Sequence, residues 1–335
     1  MAASDYAGAV RAGTSAATRL HQSLNLRPAV EAHGGAVDVF GAIHVLDLPL
    51  VLRPLQGLLG AYLSEPAPGV LVTTQRPMAI QRFTAAHELG HYAMKHQPSL
   101  DDDSILRRLP LGEETAGDFQ EVEADAFAAA FLMPRWLIHW HAAQQGWTVD
   151  DFRQPDRVYQ LSLRLGASYE ATSWTLVHHG LIAAAVARKL QQTEPRDLKT
   201  ALLGDYRPAD YRGDVWLLTE RDAGTRIDGS RNDLFVLRLK ENSGSGYLWD
   251  IDQLKVSGFA VVRDGREAID GVGGPVIRRV TAAAGDGGRG SLHLDERRPW
   301  QPDLSLSRLT LDFDFTGPEE VGLSRAERRS LLEAA

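Results

Sequence analysis

The chemistry of this chain gathers in His87-Glu88-Leu89-Gly90-His91, inside the run Arg82-Phe-Thr-Ala-Ala-His-Glu-Leu-Gly-His-Tyr-Ala-Met-Lys-His96. Helical residues four apart are turned by about 400° and stack on one face, so His87 and His91 can share a metal ion. Glu88 sits about 100° round the helix from His87. That places it near the metal without ligating it, where a carboxylate acts as general base on zinc-activated water. Phe83, Ala85, Ala86, Ala93 and Met94 make the helix apolar and buried, and metal binding gives its three polar side chains a reason to be there.

Zinc that keeps a position for water takes three protein ligands. The third is expected from Glu121-Val-Glu-Ala-Asp-Ala-Phe-Ala-Ala-Ala-Phe-Leu-Met-Pro134. Ala124, Phe127, Ala128, Phe131 and Leu132 recur at helical spacing, and Pro134 ends the helix. Glu123 adjoins this stripe, whereas Glu121 and Asp125 lie about 200° away from it and read as solvated. The expected centre is therefore Zn2+ on His87, His91 and Glu123, a thermolysin-like ligand type, with Glu88 as catalytic base. His96 is five residues beyond His91, off the ligand face, and reads as a helix-end residue or as one that supports a ligand from behind. The donor for charge developing on the scissile carbonyl stays open among Tyr62, Tyr92, His96 and Arg82.

These two helices need a scaffold. The chain has 335 residues, about two domains' worth. It has no cysteine, which excludes disulfides, thiolate metal sites and a cysteine nucleophile, and leaves His, Asp and Glu as metal ligands. The net charge is −8, against a general nucleic-acid-coating role. Met1–Arg19 lacks the pattern of a signal peptide, and apolar stretches such as Val45–Leu59 contain Pro and Arg and are too short to span a bilayer. A cytoplasmic protein without membrane contact is expected.

Three zones follow. Residues 24–135 hold short strands, among them Gly57–Tyr62 and Gly69–Thr73, and the two zinc helices, with Asp101-Asp-Asp103 and Gly112–Asp118 marking a long loop between these helices. Residues 136–200 are helical, with Ser168 and Gly180 as the cap and stop of one helix. Pro195–Arg212 reads as a linker. Residues 212–318 form an all-β unit with strands at Val215–Thr219, Leu234–Lys240, Gly258–Arg263, Val276–Val280, Gly290–Asp295 and Leu306–Phe315. Residues 319–335 form a tail whose Ser324 caps a short charged helix.

The zinc motifs resemble the ImmA/IrrE-type metallopeptidases over about residues 25–190. The likeness rests on Arg82-Phe-Thr before His87-Glu88-Leu89-Gly90-His91, and on Glu123-Ala-Asp125 followed by Phe127-Ala128 and Leu132-Met-Pro134. It implies an α+β, zincin-like minimal metallopeptidase core with a helix-turn-helix-like appendage. It also implies zinc on His87, His91 and Glu123, Glu88 as base, and a protein substrate that is a transcriptional repressor or similar helix-turn-helix regulator. The helix after Ser168 carries Glu170 and few basic residues, so the appendage is expected to pack against the core rather than read DNA. The C-terminal zone resembles chagasin-type inhibitors of papain-like cysteine peptidases, which have an immunoglobulin-like β-sandwich. Asn242, Gly246, Tyr247 and Trp249 match their first binding loop, with Ser243, Gly244 and Ser245 where those inhibitors have Pro-Thr-Thr. Arg298, Pro299 and Trp300 match a later loop, and Gly271–Gly274 falls where a middle loop lies. This resemblance makes Asn242, Gly246, Tyr247, Trp249, Arg298 and Trp300 candidate partner-binding residues, the partner being a papain-like peptidase or another protein. The expected whole is a zinc endopeptidase with a recognition or gating module. The alternative is a non-catalytic binder or cysteine-peptidase inhibitor with a structural zinc.

Overall fold

The computed structural model describes residues 2–97, 99–102, 119–269, 274–285 and 288–334. Gly112–Asp118 and Gly271-Val-Gly273, both noted above, lie outside these residues, as does Asp103.

Three helices, α1 (Ala2–Ser23), α2 (Leu26–His33) and α3 (Val39–Val45), precede strands β1 (Leu50–Arg53), β2 (Leu58–Leu63) and β3 (Gly69–Thr73). Helix α4 (Met78–Met94), which carries His87, Glu88 and His91, starts after Pro77 and stops at Lys95, whose left-handed φ of 59° turns the chain back. Strand β4 (Ser99–Asp102) and helix α5 (Phe119–Leu132), which carries Glu121 and Glu123, follow. α4 buries Ala85, Ala86 and Leu89 completely. α1 was not foreseen and extends the core to the N-terminal side of residue 24. Its buried Ala9, Gly13 and Ala17 recur every fourth residue, giving a narrow face that lets α5 come close.

The helical zone comprises α6 (Arg135–Gln145), α7 (Pro155–Leu165), α8 (Tyr169–His178), α9 (Ala184–Leu190) and α10 (Pro195–Leu203). Ser168 caps α8 as expected, accepting from Ala171 N at 3.1 Å. The expected linker is instead helical over Pro195–Leu203. Pro195 sits in the first turn, where its missing N–H has no helical partner to lose.

The C-terminal unit is an Ig-like β domain of two four-stranded sheets. One has the order β5 (Val215–Leu218), β7 (Leu234–Glu241), β10 (Val276–Ala284), β9 (Phe259–Ala268). The other has β6 (Arg226–Asp228), β12 (Gln301–Asp314), β11 (Arg289–Arg298), β8 (Leu248–Trp249). Phe235, Leu237 and Val280 from the first meet Leu292, Leu294, Leu309 and Phe313 from the second in one core. All six expected strands are present. β6 and β8 have three and two residues, too few for an alternating pattern to show.

The C-terminal tail does not end in this domain. It returns to the N-terminal core, where β13 (Gly322–Leu323) pairs antiparallel with β1, making the sheet order β13-β1-β3-β2-β4. Ahead of β13, Glu319 N donates to Gln81 Oε1 on α4 at 2.8 Å. Helix α12 (Arg325–Ala334) packs against α3 and is capped by Ser324, which accepts from Glu327 N at 3.2 Å.

A second joint seals the open edge of β5. Gln160 on α7 donates to Val215 O and accepts from Leu217 N, both at 2.8 Å, as a neighbouring strand would. Tyr159 Oη accepts from Val215 N at 3.0 Å. Arg164 Nη2 bonds Leu217 O at 2.9 Å and Asp222 Oδ1 at 2.6 Å, and Gln145 also donates to that carboxylate. Asp222 is 2% exposed and Arg164 7%, so removing one charge strands the other in a dry place. Asp222→Ala is expected to cost about 3–5 kcal/mol, read from the denaturant midpoint by tryptophan fluorescence. A loss below about 1 kcal/mol, the value of an exposed pair, would contradict this account.

Candidate metal centre

α4 and α5 cross at Gly90, where α4 has no side chain to keep Phe127 of α5 away. A methyl group added at Gly90 would lie 3.1 Å from Phe127 Cδ1, already tight, so the helices meet almost backbone to side chain. This brings the first turn of α5 over the two histidines.

His87 and His91 are fully buried, and their Nε2 atoms face each other at 3.0 Å. Glu121 joins them, with Oε2 at 3.3 Å from His87 Nε2 and Oε1 at 3.5 Å from His91 Nε2. Among the described residues His87, His91 and Glu121 form a group able to hold a metal ion. Glu123 is not in it. Its Oε2 lies 2.8 Å from His96 Nε2. The third donor is therefore Glu121, correcting the expectation of Glu123, and neither Glu121 nor Asp125 is on a solvated face. The physical reason is that α5 is covered on two sides, by α1 and by α4, so its apolar stripe marks the wedge between them rather than the side facing the histidines. One signal could have separated the acids. Glu121 and Asp125 are four apart, the same step as His87 and His91, so two parallel rungs can face each other across the helices.

Both remaining imidazole nitrogens are held. His87 Nδ1 lies 2.8 Å from Asp125 Oδ1. His91 Nδ1 lies 3.0 Å from His96 Nδ1, because the turn at Lys95 folds His96 back. A carboxylate only accepts, so Asp125 places a proton on His87 Nδ1. Glu123 likewise places one on His96 Nε2, leaving His96 Nδ1 to accept from His91 Nδ1–H. Both Nε2 atoms then present lone pairs to one another. The two Nε2 atoms and the Glu121 carboxylate converge on one point, 3.0 to 3.5 Å apart. Donors about 2.0–2.1 Å from a tetrahedral ion are spaced by roughly 3.3 Å, so separations of 3.0, 3.3 and 3.5 Å suit one ion. The residues present thus fit a bound metal, with Asp125 and the Glu123–His96 pair orienting its histidines.

Glu88 is fully buried, and its carboxylate reaches β2. A methyl group at Gly60 would sit 2.6 Å from Glu88 Oε1 and would also collide with Thr84. Residue 62 shares the face of residue 60, which puts Tyr62 on the α4 side of the sheet. Its ring is 6.3 Å from that of Tyr92, and burial, then Tyr92, push its phenol above the usual value. Arg82 is directed elsewhere, donating to Val37 O at 2.6 Å.

The six candidate partner-binding residues divide in two. Asn242 and Trp249 are supports. Asn242 N and Nδ2 both donate to the buried Glu296, at 2.6 and 3.0 Å. Trp249 is 3% exposed and donates to Lys240 O. The others form a rim. Arg298 lies over the Tyr247 ring at 4.5 Å, and Trp300, 67% exposed, rests against Gly246.

Comparison with known proteins supports this division into two units. Residues 43–176 match the family model of the IrrE N-terminal-like domain, Peptidase_M78, and residues 229–315 match that of the chagasin family peptidase inhibitor I42. Among solved structures, the cysteine protease inhibitor EhICP2 from Entamoeba histolytica is 26% identical, with 30% of this chain and 95% of that one covered and a TM-score of 0.27. Amebosin is 25% identical, with 29% and 94% covered and a TM-score of 0.25. No curated protein matches the chain. No helix among the described residues is long and apolar enough to cross a membrane.

Zinc titration monitored by dialysis separates the two glutamates. Glu123→Gln, acting through His96, is expected to weaken binding by about 10–100-fold. Glu121→Gln is expected to weaken it further, and the reverse order would put Glu123 on the metal.

Proposed function

We propose that this chain, an N-terminal IrrE/M78-like peptidase domain joined to a C-terminal chagasin-like Ig-fold domain, is a zinc-dependent endopeptidase. Its proposed substrate is a cytoplasmic protein, a transcriptional repressor or similar helix-turn-helix regulator, so that cleavage would change gene expression. The observation that carries this reading is the convergence of His87, His91 and Glu121, with the buried Glu88 next to His87 in the chain. Bound zinc would lower the pKa of water and polarise the scissile carbonyl. Glu88 takes a proton from the attacking water and returns it to the leaving amide nitrogen. Its burial against Gly60 keeps bulk water away and holds the carboxylate in one place. Tyr62, kept protonated, is the proposed donor to the developing oxyanion.

The Tyr247, Arg298 and Trp300 rim favours a second reading, in which the chain is a non-catalytic binder or cysteine-peptidase inhibitor and its zinc is structural. The test is incubation of the zinc-loaded protein with helix-turn-helix regulators encoded beside it, against Glu88→Gln. The variant is expected to keep zinc and lose cleavage by about 100-fold or more. Equal cleavage by both would remove Glu88 from the mechanism. A tight one-to-one complex with papain, without zinc-dependent cleavage, would favour the second reading. Tyr62→Phe is expected to lower kcat by about 100–1,000-fold with little change in KM, and an unchanged kcat would leave the oxyanion to another donor.

A further inference from the structure

A cavity of about 560 Å³ lies away from the metal centre, where α2, α3 and the start of α4 face α7, the β domain and the returning tail. Its size is that of a small-molecule site. One wall is apolar, with Val30, Phe40 and Trp216, each at most 8% exposed. The charged side chains along the opposite wall are mostly spoken for. Arg226 pairs with Asp228 at 2.8 Å and approaches Asp314, Arg289 pairs with Asp314, and Arg325 bonds Thr316 and backbone carbonyls.

Arg82 differs from these in being buried with a donor to spare. It lines the cavity and is 94% buried, its relative exposure being 6%. It makes one hydrogen bond, Nη2 to Val37 O, and its Nε has no acceptor. A buried guanidinium with an unused donor is costly unless something supplies an acceptor. Burial pulls its pKa down, while Asp228 and Asp38 act in the opposite direction from a distance. The guanidinium edge suits a planar carboxylate. The same two aspartates would repel a second negative charge on the ligand.

We propose that this cavity binds a small organic monocarboxylate with an apolar body, its carboxylate on Arg82 and its body against Val30, Phe40 and Trp216. This site is independent of the peptidase reading, since none of these residues touches the metal cluster.

Calorimetry at pH 8 on the full chain, with decanoate, decanol and decyl phosphate as probes, tests the proposal. Decanoate is expected to bind once per chain, at least about tenfold tighter than decanol, the value of one charge-assisted hydrogen bond. Decyl phosphate, a dianion at this pH, is expected to bind more weakly than decanoate. Arg82→Met is expected to reduce decanoate to the level of decanol. Should that variant fail to fold, Ala29→Trp on the exposed side of α2 fills the cavity instead and is expected to abolish binding. The proposal is overturned if decanoate does not bind, if decanol binds as tightly, if decyl phosphate binds more tightly, or if the folded variants bind like the parent.

Discussion

Everything at the metal centre depends on how closely α5 can lie between α1 and α4. Gly13 faces the backbone of Glu123, where a methyl group would overlap the carbonyl oxygen, and Gly90 faces Phe127. Larger residues at either place would push α5 outward by a side chain's width. Glu121 would then no longer stand 3.3 and 3.5 Å from the histidines. The separations that suit a metal are thus set by the absence of side chains on neighbouring helices. Once α5 is seated, its acids divide the work by their angle on the helix. Glu121 meets both Nε2 atoms, Asp125 holds His87, and Glu123 acts on His91 through His96. Three carboxylates within five residues are tolerated because imidazoles face each of them.

The same economy joins the two halves of the chain. The β5 strand needs partners for the backbone groups on its outer edge, and exposed edges invite unwanted pairing. Here α7 supplies them from Tyr159, Gln160 and Arg164. At the other end of the domain the tail adds β13 to the N-terminal sheet and pins Glu319 to Gln81 on α4, the helix of the two histidines. The β domain is therefore fastened to the core at both its entrance and its exit, although its sequence reads as a separate unit.

The sequence made some of this plain and hid the rest for physical reasons. The histidine pair and Glu88 were legible because a spacing of four on a helix has one geometric meaning. The six longer strands were legible because each alternates or is bounded by turn residues. Glu123 was preferred over Glu121 because an apolar stripe was taken to face the partner carrying the metal, and α5 has two partners. α1 was missed because its packing face consists of Ala9, Gly13 and Ala17, residues that carry almost no hydrophobic signal, yet small size is what the contact requires. β13 has only two residues and pairs across some 270 positions of chain, so no local pattern could announce it. Pro195 suggested a break when it was a helix start.

The fastening also bears on what the C-terminal domain can do. Glu88 lies against Gly60 on β2, whereas the tail extends the sheet beyond β1, at the far edge. A gate that opened by swinging the β domain would have to pull β13 from β1 and separate Arg164 from Asp222, both buried. Separating the charges alone is expected to cost several kcal/mol, which keeps any opened form a minor state. A fixed surface avoids that cost. Tyr247, Arg298 and Trp300 stand on a loop and hairpin end held from beneath by Glu296 and Trp249, so they lose little freedom when a partner docks. Tyrosine, arginine and tryptophan are also the side chains that most often dominate protein recognition. The geometry thus fits a fixed docking surface better than a moving gate: the rim is rigid where it stands, and the domain beneath it is tied to the core at both ends.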